Sequence, residues 1–211
     1  MSRRLLRPIA GAALLVLCAC VGNTTFTSTW KSPDVTGLTP VGKTIVAVFV
    51  SRDESQRRGG EDAMVADLNR FGAHGIPAYT LVPSGTKPDA QAAQAAFKQA
   101  GANAVVVMRV VGKDQQITYT PGGPSPAYYG GFGPYWGYGW GAAYDPGYLR
   151  TDTVVSVETT VYSLERDKLL WASQSRTTNP DNLPALVNEV ADATANEMVK
   201  QGLLAPPAKK S

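Results

Sequence analysis

The chain reads as a single α/β domain built on a mixed sheet, and three observations predict it. Two wholly apolar runs rich in β-branched residues, 44–50 (Thr-Ile-Val-Ala-Val-Phe-Val) and 104–111, have the composition of strands buried on both faces. Segments of helical period lie between them, at 60–73 and 89–100, so the chain runs β-α-β-α-β, an order that calls for parallel strands with right-handed crossovers. After residue 150 the pattern changes to two alternating strands across a tight turn, then one long amphipathic stretch. The predicted order is therefore β-α-β-α-β-β-β-α, with helices packed on the sheet.

Each element has its own local signal. Residues 21–43 are polar and turn-rich, with Pro33, Gly37, Pro40 and Gly42, and read as a tether leading through an edge strand around 26–30. The first central strand spans 44–50, and residues 51–60 form a charged loop. In the first helix Met64, Val65, Leu68 and Phe71 share one face, and Gly72 and Gly75 end it. A second strand is expected at 78–82, a loop at 83–88, and an alanine-rich helix at 89–100 closed by Gly101. The third strand covers 104–111. Val155, Val157 and Val161 alternate with polar neighbours in a strand at 151–164, which turns through Glu165-Arg166-Asp167-Lys168 into another at 168–178. The final helix begins near Asp181, tolerates Pro184 in its first turn, aligns Leu186, Val187, Val190 and Met198, and stops at Gly202. Residues 205–211 are expected to be a disordered tail.

The N-terminus carries an address. Arg3, Arg4 and Arg7 precede a short apolar segment that closes in Leu17-Cys18-Ala19-Cys20, the layout of an export signal with a lipobox. The apolar run falls short of the ~20 residues that span a bilayer. The tetrapeptide resembles the lipobox of bacterial lipoproteins, and that resemblance implies that residues 1–19 are a cleaved lipoprotein signal and Cys20 the lipidated first residue of the mature chain, with 20–43 as lipidated N-terminus and tether before a domain at 44–204. Val21 rather than aspartate follows the cysteine, which by the sorting rule of Gram-negative lipoproteins implies the outer membrane, with the domain facing the periplasm.

Composition removes whole classes of function. The chain has 20 Lys+Arg against 17 Asp+Glu, and loss of the three signal arginines leaves the mature part formally neutral, without the basic excess expected of a nucleic-acid binder. Once Cys18 departs with the signal, Cys20 stands alone, which excludes an intrachain disulfide and a cysteine metal cluster. His74 is the only histidine and is expected at a helix end, so no metal or other cofactor is expected.

Two strings imitate catalytic motifs in the wrong context. Residues 37–44 match the P-loop pattern, but Lys43 and Thr44 lead into a strand rather than a helix whose amides could hold phosphate, so no nucleotide is expected. Ser84-Gly85-Thr86-Lys87 matches a penicillin-recognising string but lies between Pro83 and Pro88 instead of on a helix. Arg57 and Arg58 in the charged loop form a weak candidate anion site against a more ordinary solvated surface.

The unusual segment is 121–148, which in 28 residues holds nine glycines, five prolines and half of the chain's 18 aromatics. Glycine and proline at that density prevent a helix or regular strand, so the rings sit on a loop. Tyr128, Tyr129, Phe132, Tyr135, Trp136, Tyr138, Trp140, Tyr144 and Tyr148 form either an insertion folded back on its own domain, a contact surface, or a membrane-interface patch.

The lipobox, Ser28-Thr29-Trp30-Lys31-Ser32-Pro33-Asp34, the Arg57-Arg58-x-x-Glu61-Asp62 helix start, the Tyr/Gly-rich insertion, Lys168-Leu169-Leu170-Trp171 and the terminal Gln201-Gly202-Leu203-Leu204 together resemble a group of uncharacterised bacterial envelope lipoproteins. The resemblance covers nearly the whole mature chain. It implies an α/β envelope domain and carries over no catalytic residue. The expected function is a lipid-anchored structural or protein-interaction module with an envelope-protein or cell-wall partner. A small-ligand or carbohydrate-binding lipoprotein that stacks its ligand on the aromatic insertion is the alternative.

Overall fold

The computed structural model describes residues 23–82, 89–120, 136 and 147–205. The signal segment, Cys20, the Ser84–Lys87 string, the tail from 206, and all insertion rings except Trp136 and Tyr148 lie outside the described residues. In chain order the elements are β1 (Thr24–Lys31), β2 (Thr44–Val50), α1 (Glu54–Arg70), β3 (His74–Pro77), a 3-10 turn (Ala78–Thr80), α2 (Ala90–Gln99), β4 (Ala104–Thr120), β5 (Tyr148–Ser163), β6 (Lys168–Thr178) and α3 (Leu183–Lys200).

The strands form one six-stranded mixed sheet in the order β1-β6-β5-β4-β2-β3. β2 runs parallel to both β3 and β4, and the β4, β5, β6 and β1 neighbours are antiparallel. The two halves explain the two sequence patterns. Ala47, Phe49 and Met108 meet α1 and α3 on one face, while Val46 and Val105 meet Phe97 of α2 on the other, so 45–50 of β2 and 104–108 of β4 are apolar throughout. β5 and β6 have no helix on one face, and there they show Glu158, Gln174 and Arg176. Trp171 is fully buried, meets the Phe26 ring edge-on at 6.3 Å, and donates from Nε1 to Gln201 Oε1 at 3.2 Å.

All three helices end alike. Gly72, Gly101 and Gly202 have positive φ, and the amide of the next residue reaches back to the carbonyl of Leu68, Phe97 or Met198, a turn a residue with a Cβ would adopt only under strain.

Four expectations need correction. The charged loop at 51–60 is largely helix, because Asp53 caps α1 by accepting from the Gln56 amide at 3.0 Å, and Glu54–Arg58 and Arg57–Glu61 pair one turn apart. Gly60, placed at the end of that loop, is buried, and a Cβ there would overlap the Phe49 ring. The strand expected at 78–82 is the 3-10 turn, and β3 lies upstream at His74–Pro77, so His74 opens a strand rather than ending a helix. β4 and β5 outrun their expected limits by several residues toward the insertion.

Candidate functional site

Two places in the fold have features that packing alone does not explain. The first is an arm. β2 leaves β4 at Arg109, a bulge at Val110/Gly112 follows, and β6 leaves β5 at Val154. From Gln115–Thr153 to Thr120–Tyr148 the two strands therefore pair only with each other, over six residue pairs and about 20 Å. Ile117, Tyr119 and Leu149 share one face of this ribbon, with Tyr119 opposite Leu149, and are 69%, 55% and 71% exposed. Its base is fixed by Asn179, which has positive φ, accepts from the Thr153 amide at 2.7 Å, and donates to Asp152 at 2.6 Å. That donation is the main reason the Asp152 carboxyl lies below its ordinary value. The aromatic insertion grows from the arm's far end. Of its rings, Trp136 and Tyr148 are described and both are exposed.

The second is a cavity of about 340 Å³ between the sheet, α1, α3 and the segment 34–40. That segment crosses as a strap, held by Leu38 N–H donating to Leu203 C=O at 2.6 Å and by buried Val35 packed with Leu203. Val106, Met108, Leu68 and Met198 give the cavity an apolar wall. Asp67, Thr159 and Thr194 also line it, and each is nine-tenths or more buried with one side-chain oxygen lacking a hydrogen-bond partner. Arg70 donates to Asp67 Oδ1 at 2.7 Å and to Asp192 at 2.6 Å, and leaves Asp67 Oδ2 free. Burial outweighs the Arg70 charge and raises the Asp67 carboxyl above its usual range.

The sequence did not single out this cavity. The three residues with unpartnered oxygens are scattered over α1, β5 and α3, so no sequence spacing groups them.

The remaining candidates have structural partners. Arg57 donates to buried Glu61 at 3.3 Å and to the Val82 carbonyl at 3.2 Å, so its guanidinium is engaged inside the fold. Glu61 also accepts from the amides of Phe49 at 3.4 Å and Tyr79 at 2.6 Å, and its burial raises its pKa. Arg58 pairs with Glu54 and lies 5.2 Å from the centre of the Tyr79 ring. The two arginines therefore do not converge on a shared anion site. Lys43 donates its amide to Pro40 C=O, and Thr44 opens β2, so no helix N-terminus follows the P-loop-like string. Among the described residues no three His, Cys, Asp or Glu side chains are placed to hold a metal, and no helix is long and apolar enough to cross a membrane.

No protein-family model and no curated protein matches the chain. Among solved structures it is similar to the PelC dodecamer from Paraburkholderia phytofirmans, at 12% identity and a TM-score of 0.45 over 86% of this chain and 99% of that one. It is also similar to lipoprotein GNA1162 from Neisseria meningitidis, at 16% identity and a TM-score of 0.42 over 75% and 99%. Likeness at this level assigns no residue, ligand or partner to the present chain.

Proposed function

We propose that the chain is a lipid-anchored cell-envelope lipoprotein that works as a protein-interaction module and not as an enzyme. It is tethered through Cys20 to the outer membrane, faces the periplasm, and makes contact through the β4–β5 arm and the aromatic insertion. The observation that carries this reading is the arm itself. A two-stranded ribbon is marginal in water, yet this one leaves the sheet with Ile117, Tyr119 and Leu149 side by side and exposed. Exposed apolar side chains clustered on a projecting element are the usual form of a contact surface, and the aromatic-rich segment continues it.

The anchor supports the reading from the sequence side. Several acyl chains on one cysteine hold a domain at a membrane where a single chain holds it only marginally. Two experiments test the proposal. Cys20→Ala should leave an unprocessed or mislocalised precursor, and normal processing with membrane retention would refute the anchor. The triple change Ile117→Thr, Tyr119→Thr, Leu149→Thr should keep a cooperative melt and abolish envelope crosslinks, and crosslinks that survive would refute the arm as the contact element.

A further inference from the structure

We infer that the cavity beneath the 34–40 strap is a binding site for a small, uncharged, largely apolar molecule bearing a hydroxyl group. The inference is independent of the arm and of the anchor. A cavity of about 340 Å³ falls within the usual size of small-ligand sites, which are mostly apolar with a few convergent polar groups. This one has that composition, and its polar groups are unsatisfied. Buried polar atoms are nearly always hydrogen-bonded, because an unpaired one forfeits its solvation without return. Here three of the five unpartnered buried side-chain oxygens found among the described residues belong to one cavity.

The atoms state what would pair with them. Asp67 Oδ2 only accepts, so it calls for an O–H or N–H donor, while the Thr159 and Thr194 hydroxyls can give or take a hydrogen bond. A hydroxyl can donate to the carboxylate oxygen and can accept from or donate to a threonine hydroxyl. A carboxylate or phosphate ligand is disfavoured, because Arg70 is already shared between the Asp67 and Asp192 carboxylates. The lining sets Lys43 and Arg166 against Asp34, Asp67 and Glu165, so it offers an anionic ligand no excess of positive charge. The rest of the wall, including Met64, Leu68 and Met198, suits an aliphatic body. A two-chain phospholipid is far too large. The 34–40 strap forms one side of the site.

The test uses the full-length acylated chain in nanodiscs and a medium-chain primary alcohol carrying a diazirine. Saturable photolabelling is expected on the α1 and α3 peptides that contain Met64, Leu68 and Met198, with competition by the unlabelled alcohol and much weaker competition by the carboxylate of the same chain. Ala195→Trp, which fills the cavity, should abolish labelling there, and Thr194→Val should weaken the apparent affinity by roughly fivefold through one lost hydrogen bond. Labelling that does not saturate, that is spread over the surface, or that survives Ala195→Trp in a folded protein overturns the inference. Should Ala195→Trp fail to melt cooperatively, Thr194→Val decides alone, and an unchanged affinity overturns it.

Discussion

Replacing Glu61 is the sharpest test of how the fold is held together, because this one carboxylate joins three elements. Its Oε1 accepts from Phe49 N–H in β2 and from Arg57 of α1, and its Oε2 accepts from Tyr79 N–H in the 3-10 turn. It is fully buried. Glu61→Ala removes the acceptor for two backbone amides and strands the Arg57 guanidinium, whose side chain is only 14% exposed. Breaking a buried, hydrogen-bonded pair costs about 3–5 kcal/mol, which for a domain of this size lowers Tm by roughly 6–20 °C.

Glu61→Gln keeps the shape, but it retains one oxygen and turns an NH2 toward a donor, so a loss of about 1–3 kcal/mol is expected. The wild type and Glu61→Gln also differ in pH response. Because burial raises the Glu61 pKa in the folded state above its ordinary value of 4.5, the native state holds this proton to higher pH than the unfolded state. Its contribution is therefore complete below that ordinary value and is lost as pH rises through the folded pKa. Chemical denaturation across this range should show stability falling with pH more steeply in the wild type than in Glu61→Gln. A Glu61→Ala protein as stable as wild type, or identical pH slopes in wild type and Glu61→Gln, would refute this account of the junction.

Gly60→Ala should destabilise by about 1–3 kcal/mol through overlap with the Phe49 ring, and Phe49→Leu in the same chain should recover part of the loss in a double-mutant cycle. Lys43→Ala and Lys87→Ala should be silent, with no Lys-dependent ATP binding and no acylation by a penicillin probe. Replacing residues 121–147 by a short Gly-Ser linker should leave a cooperative melt, since the loop-closure term changes by only about 1 kcal/mol, and collapse of the fold would show that the insertion belongs to the core. Asn179→Gly, which keeps the positive φ and the backbone bond to the Thr153 carbonyl but loses the side-chain bonds to the Thr153 amide and Asp152, should speed amide exchange in the arm while leaving β2 and the inner part of β4 protected.

The sequence was legible where one physical cause dominated. Burial on both faces made β2 unmistakable, and its limits 44–50 were read to the residue, as were those of β6 at 168–178. The glycines closing the three helices were also plain, because only a positive φ explains them at those positions. Reading failed where a residue served a distant neighbour. Gly60 looked like a loop glycine because its reason, the Phe49 ring, lies in another strand. Ala78–Thr80 had the composition of a strand but turns so that the Tyr79 amide can reach Glu61. The outer parts of β4 and β5 show no hydrophobic period because neither face of the arm is buried, so the arm appeared only as polar sequence beside the insertion. The cavity was illegible for a different reason. Its polar atoms are defined by the partners they lack, and Asp67 reads in sequence as one more charge on an amphipathic helix.

The claim that the arm is the contact element can be tested directly in living cells. A photo-crosslinking residue is placed at Leu149 on the arm and, separately, at Gln91, which is exposed on α2, in the full-length lipidated protein. The account predicts a discrete crosslinked product from Leu149 and none from Gln91, with the Leu149 product lost when Ile117 and Tyr119 are both changed to threonine. Equal products from the two positions, or none from Leu149 in a correctly anchored protein, would contradict it.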